Sequence, residues 1–413
     1  MKKFRILSLA MAAALCFALV SGCGGGSGSG SGDSSTPAPS DSAAPESSES
    51  TGAAAPTGAA FKLGGTGPLT GDASIYGLAA YHGAQIAVEE INAEGGAIQF
   101  DLRYEDDVNV AETAVNAYNT LKEWGMQISL GSVTSTPGVA TSVLNYEDRI
   151  FALTPSGSSP AVIEGKDNVY QMCFTDDNQG SASAQYISEQ GLGEKVFIIW
   201  KNDDVYSTGI KDQFVIKAEE LGLEVVGDAT FTTDTSNDFT VQLTQAQEAG
   251  ADLIFLPMYY QPASLILTQA SAAGYAPKFF GVDGMDGILT LTGFDTSLAE
   301  GVMLLTPFNA DATDEATVNF VTKYQEAYGE VPNQFAADAY DCVYAYKQAL
   351  ETAGCTPDMS AADICAALIE TFPTITFNGL TGDGEGITWD ASGAVSKAPK
   401  GMVIQNGAYV GMD

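Results

Sequence analysis

The sequence predicts an α/β protein made of two doubly wound lobes with parallel-sheet cores. Three observations carry that expectation. Beyond residue 60, short apolar runs alternate with stretches whose apolar residues recur at helical spacing. The alternation runs through one series and then starts again, which gives each series a sheet of its own. The stretch from about residue 61 to residue 413 is also long for a single core and suits two lobes.

The first series opens with a strand from Phe61 to Gly64, a turn-rich stretch, and a helix whose Ala80, Ala84, Ala87 and Ile91 fall on one face. Phe100 to Tyr104 is a second strand. The helix after it has a stripe at Val110, Ala114, Ala117 and Leu121. Ile128 to Leu130 and Ile150 to Leu153 are further strands. The second series starts at Val196 to Trp200, an almost continuous apolar run of the kind covered on both sheet faces. Tyr206, Ile210, Phe214, Ala218 and Leu221 stripe its helix. Strands at Leu223 to Val226, Leu253 to Leu256 and Phe279 to Val282 continue the alternation. Two later helices, at Val318 to Tyr328 and through Ala339, Val343, Tyr346 and Leu350, pack onto one of the sheets.

The N-terminus carries an address. Lys2, Lys3 and Arg5 precede an apolar run from Ile6 to Val20, which is shorter than the ~20 residues of a spanning helix. Small residues then lead to a cysteine, the pattern of a secretory leader. Val20-Ser21-Gly22-Cys23 resembles a bacterial lipobox, which implies a signal peptide over 1–22 and lipidation at Cys23. Residues 24–60 are almost wholly Gly, Ser, Ala, Pro and Thr. Such a segment buries too little apolar surface to offset its ordering entropy, so 23–60 reads as an anchor and disordered tether.

The chain carries 17 Lys and Arg against 52 Asp and Glu, a formal charge of −35, and the leader takes three of the bases with it. Nucleic acid and bare anionic lipid are excluded as partners, since both need clusters of Lys and Arg. His82 is the only histidine and no Cys-x-x-Cys is present, which argues against a metal or redox site. An exported location permits disulfides among Cys173, Cys342, Cys355 and Cys365, but spacing assigns no pair. There is no P-loop lysine and no Gly-x-Ser-x-Gly elbow, so nothing demands an enzyme or a cofactor.

In doubly wound sheets ligands bind beyond the carboxyl ends of the strands. Two such turns are crowded with hydroxyls, Ser132 to Pro137 and Thr154 to Pro160. Hydroxyls and free N–H groups at a helix start suit a carboxylate, although Ser and Thr also serve simply as caps. In the second series Asp283 follows a strand among glycines and could meet an ammonium group, with Asp286 a competing candidate. Tyr206, Tyr259 and Tyr260 could wall a solute or pack in the core.

Leu63 to Gly71, Tyr76-Gly77 and Gly83 to Gly96 resemble the opening of the branched-chain amino-acid-binding proteins of ABC transporters. The resemblance continues through Gly131 to Ser135, Thr154-Pro155-Ser156, Asp238-Phe239-Thr240, Ala272-Ala273-Gly274 and Tyr340-Asp341. It ends with Leu380-Thr381-Gly382, Ile387 to Asp390 and Asn406-Gly407, so it spans residues 61–413. It implies a type I periplasmic-binding fold whose lobes close on a solute about three crossover segments, placed near 175, 306 and 390. The first lobe then takes 61–175 with 307–390, and the second takes 176–306 with 391–413. By position, the resemblance assigns a solute's α-carboxylate to Ser135, Ser156 and Ser158, and its α-ammonium to Asp283. It places a second acid at Asp176, with Asp177 as the alternative, cleft-lining aromatics at Tyr206 and Tyr259, and Tyr76 near the solute's side chain. Ser207 stands where relatives usually have glycine. The function implied is that of an extracytoplasmic, lipid-anchored, monomeric solute-binding subunit. It would capture a small amino acid and deliver it to an ABC permease in the membrane. The alternatives are a sensing lipoprotein of the same fold, or a binder of amides, urea or aromatic acids.

Overall fold

The computed structural model describes residues 56 and 58–412, apart from 383 and 385. The leader, Cys23 and most of the tether lie outside the described residues.

The first sheet holds β1 (Phe61–Gly67), β2 (Phe100–Asp106), β3 (Ile128–Ser132), β4 (Phe151–Thr154) and β5 (Val169–Gln171) in the order β2-β1-β3-β4-β5. Every pairing in it is parallel. Its connecting helices are α1 (Ser74–Glu94), α2 (Ala111–Trp124) and α3 (Ser135–Asp148). The second lobe begins with α4 (Asp176–Glu189), capped by the Thr175 hydroxyl on the Asn178 N–H. It continues with β6 (Lys195–Lys201), α5 (Val205–Leu221), β7 (Glu224–Phe231), α6 (Thr240–Glu248), β8 (Leu253–Leu256), α7 (Tyr260–Ala272), β9 (Lys278–Gly281) and β10 (Met303–Thr306). These strands lie in the order β7-β6-β8-β9-β10, all parallel, so the two sheets repeat one winding. In each sheet the order reverses between its first and third strands, which puts a crevice at both switch points.

After β10 the chain returns to the first sheet. There α8 (Glu315–Tyr328), α9 (Gln334–Ala353) and α10 (Ala361–Thr371) pack, α9 lying along α1 and α10 against β4. The α1–α9 contact is close enough that a Cβ on Gly83 would sit 2.0 Å from the Ala336 carbonyl oxygen. Residues 389–393 then edge the first sheet: Trp389 donates its indole N–H to the Gln171 carbonyl (2.7 Å), and the Gln171 N–H reaches the Gly393 carbonyl. Lys397 is still held by first-lobe groups. The next element is β11 (Lys400–Gln405). With β12 (Ala408–Gly411), β11 forms an antiparallel hairpin on β10.

Ala80, Ala84, Ala87 and Ile91 are fully buried, as are Ile210 and Phe214 of α5 and Ala339, Val343, Tyr346 and Leu350 of α9. Val110, expected at the head of the α2 stripe, is instead exposed just before that helix. The preceding turn explains it. Val108 and Asn109 take positive φ (46° and 59°), with their N–H groups held at 2.9 Å by the Asp106 and Asp107 carboxylates, so α2 starts one residue later. Cys173, Cys342, Cys355 and Cys365 are free buried thiols. Among the described residues, no helix is long and apolar enough to cross a membrane, and no group of His, Cys, Asp and Glu could hold a metal ion.

Candidate solute-binding site

The two hydroxyl-rich turns lie side by side where β3 and β4 end, and their side chains lace them together. Thr154 donates to the Ser132 carbonyl and Ser156 to the Val133 carbonyl, each at 2.6 Å. The Gly157 N–H is held by Thr154 Oγ1 (2.9 Å), and Gln171 donates to the Gly157 and Ser159 carbonyls. Ser135 opens α3, so its N–H and that of Thr136 precede the intrahelical ladder. Its hydroxyl lies 3.5 Å from that of Ser158 and accepts from the Ser159 N–H at 3.2 Å. Because Ser156 has committed its hydroxyl proton, what it can offer an anion is its backbone. Ser135 keeps a hydroxyl hydrogen free to turn, while the Ser158 hydroxyl also meets the Asp176 carboxyl.

The facing wall comes from the second lobe. Tyr206 sits in the first turn of α5, which Asp204 caps. Its hydroxyl donates to Asp283 Oδ1 (2.5 Å) and accepts from the Gly284 N–H (2.9 Å). Gln179 accepts from the Asp283 N–H, and Gln334 donates to the Asp283 carbonyl. Gly284 is required by this approach, since a Cβ there would meet the Tyr206 hydroxyl at 2.6 Å. Tyr259 stacks on Tyr206 with ring centres 4.8 Å apart.

Tyr76, Ser135, Ser156, Tyr206, Tyr259 and Asp283 thus line one small chamber, joined by Val133, Thr134, Gly284 and Phe335. Ser158 lies just behind Ser135. Asp176, fully buried, follows at the crossover, its N–H on the Ser158 carbonyl. The alternatives lie elsewhere. Asp177 borders a groove at the foot of α4, and Tyr260 turns its hydroxyl to the Ile75 N–H. Asp286 accepts from the Gln334 N–H outside the chamber lining. Phe335 and Gln334 were missed in the sequence because α9 was read only from Ala339. The cap at Asn333, which accepts from the Ala336 N–H, was the available signal.

The electrostatics are one-sided. Asp176 is buried with the Ser158 hydroxyl on its carboxyl, and Thr134 Oγ1 is buried without a hydrogen-bond partner. Burial pushes the Asp283 carboxyl up to about 7 against the opposing bonds from Tyr206 and Gln179, and it drives Asp176 well above its usual range. Asp286 is raised to about 6 and Asp107 to about 7, again by burial. A carboxyl whose folded value is raised keeps a proton that the unfolded chain has already lost. Its contribution is full below about pH 4 and shrinks as pH climbs through 6 to 7. The lowered group, including Asp106, Asp252 and Asp314, gives way only below the ordinary carboxylate range. The solute-free protein should therefore melt several degrees lower at pH 7.5 than at pH 5, in a scan of melting temperature against pH. A flat or rising profile would show that these carboxyls are not desolvated in the folded state.

Comparison with known proteins settles the family. Residues 60–398 match the family model for periplasmic binding proteins. The chain belongs to the periplasmic binding protein family. It is 28% identical over 284 residues to "Leu/Ile/Val-binding protein homolog 3" of Brucella melitensis, covering 68% of this chain and 75% of that protein. It is 26% identical over 304 residues to the "Leucine-, isoleucine-, valine-, threonine-, and alanine-binding protein" of Pseudomonas aeruginosa, covering 72% and 79%. Among solved structures it resembles the leucine-binding protein LivK from Thermotoga maritima, with TM-score 0.75, 26% identity, and coverage of 86% and 98%. It also resembles the LivJ substrate-binding protein of Streptococcus pneumoniae in complex with isoleucine, with TM-score 0.76, 27% identity, and coverage of 85% and 97%. The fold is thus the type I fold of that family, whose members bind solutes outside the cytoplasm and are not enzymes.

Proposed function

We propose that this chain is the solute-capturing subunit of an ABC importer and that its solute is an α-amino acid. One observation carries the reading: groups suited to opposite charges face each other across the cleft. The first lobe presents the Ser135 and Ser158 hydroxyls beside the first turn of α3, which suit a carboxylate. The second presents Asp283, and the crossover presents Asp176, both buried with no cation beside them. A zwitterion placed between them would join the lobes and stabilise only the closed form, the differential affinity that hinge closure needs.

On this reading residues 61–175 and 307 to about 397 form one lobe, with 176–306 and the C-terminal hairpin forming the other. The sequence motif at Val20 to Cys23 supports a lipid on Cys23 and a tether that leaves a monomeric body free to reach its permease. The test is a thermal-shift panel on mature protein refolded from denaturant to strip any carried solute. A ligand at a hundred times its dissociation constant adds about 2.7 kcal/mol, an easily resolved shift. Shifts from several α-amino acids, and none from amides, urea or benzoate, are expected. A shift from an amide or aromatic acid alone would discard the amino-acid assignment.

A further inference from the structure

A second cavity lies outside the chamber and shares no lining residue with it. It holds about 400 Å³, within the ~300–1,000 Å³ usual for small-molecule sites. One wall comes from α1, the end of α8 and the turn that follows α8. The other comes from Tyr260 at the start of α7 and from residues 290–292. The Ile75 N–H donates to the Tyr260 hydroxyl between the two walls, at 3.4 Å.

The lining has one sign of charge. Asp72 and Glu330 lie on it as exposed carboxylates, and among the described residues no Lys or Arg lines it. The two acids stand beside its aromatic groups. Burial, with Asp72 close by, pushes the Tyr260 hydroxyl up to about 12, and burial with Glu330 close by raises Tyr324. His82 does not offset that charge. Its ring is stacked on Tyr328, with centres 3.7 Å apart and planes 6° from parallel, and its Nδ1 is buried without a hydrogen-bond partner. Burial holds the imidazole down at about 4, so it is neutral at pH 7 and adds an uncharged aromatic wall. Leu78 and Val331, 38% and 50% exposed, complete the lining with apolar surface left in water.

We propose that this groove is a binding site for a small organic amine, an ammonium group carried on an aromatic or alkyl body. The ammonium is attracted by Asp72 and Glu330 and by the ring quadrupoles of the tyrosines around it. The apolar body covers Leu78 and Val331 and removes their surface from water. An anion of the same shape meets two like charges and no cation. A neutral analogue gains the apolar contact alone. Because the groove and the chamber are built from different residues, the amine binds in addition to the captured solute and does not depend on what that solute is.

The test is calorimetric titration of the refolded mature protein with 2-phenylethylamine, 3-phenylpropionate and 2-phenylethanol. Saturable amine binding with a Kd at or below about 1 mM is expected, with the acid and the alcohol at least ~10-fold weaker. Leu78→Lys sets a cation on the exposed lining without touching the chamber, and it should weaken the amine at least ~10-fold. Asp72→Asn combined with Glu330→Gln should have the same effect with no added bulk. Acid or alcohol binding as tightly as the amine would overturn the ligand class. Amine binding that neither variant weakens would place the amine elsewhere and overturn the site, as would no heat from the amine at all.

Discussion

Asp283→Ala is expected to weaken binding of the cognate amino acid by about 100-fold or more while raising the melting temperature of the empty protein. The two effects have one cause. Asp283 is buried with a carboxyl raised to about 7 by burial, held by the Tyr206 hydroxyl and by Gln179 but by no cation. In the empty chain that is a desolvation cost with little return, so removing it stabilises the fold. In the complex the same group would accept from an ammonium, and hydrogen bonds to charged groups contribute about 1.5–3 kcal/mol, one to two powers of ten in affinity. Truncation also strands the ammonium beside Tyr206, which adds to the loss. Titration calorimetry and a melting curve on one preparation read both signs. Loss of binding with a lowered melting temperature would mean that Asp283 is structural. Unchanged binding would remove it from the site.

Lys397→Met is the other large effect, and it falls on stability. Lys397 is the cation of a buried cluster at the last crossover, its amine 2.6 Å from Asp338 and 2.5 Å from Thr381 Oγ1. Both charged side chains are 2% exposed. Asp341 completes the cluster, accepting from the N–H groups of Leu380 and Thr381. Removing one partner of such a pair typically costs about 3–5 kcal/mol, because the other charge stays buried and unpaired. The loss should be largest above pH 7 and should shrink towards pH 5, since Asp338 already titrates near 6 and its protonated form needs no partner. Lys397→Met with Asp338→Leu should recover much of the stability. Denaturant melts at pH 5 and 7.5 decide this, and a pH-independent loss under 1 kcal/mol would contradict it.

The architecture was legible because each lobe writes its strands as apolar runs and its helices as stripes, which local sequence carries. Less legible were the short elements that packing alone defines. Val169–Gln171, Met303–Thr306 and the C-terminal hairpin are brief runs that become strands only by pairing with β4, β9 and β10. The site showed the same split. The hydroxyl turns and Asp283 stand after strands, where the winding rule directs attention. Phe335 reaches the chamber, and Gln334 the Asp283 carbonyl, only because α9 returns from far along the chain to lie against α1. Tyr76 was placed in the cleft by family resemblance, but its bonds to Gly284 and Tyr260 exist only across the closed lobes, and no local pattern encodes them.

The central claim is that one solute bridges a carboxylate end and an ammonium end in opposite lobes. The most direct measurement is titration of the refolded protein with the best-bound amino acid, its deaminated acid and its decarboxylated amine. Tight binding of the amino acid and no measurable heat from either half-molecule is the expected result. An acid that bound as tightly as the amino acid would leave Asp283 and Asp176 without a cation to receive, and would contradict the account.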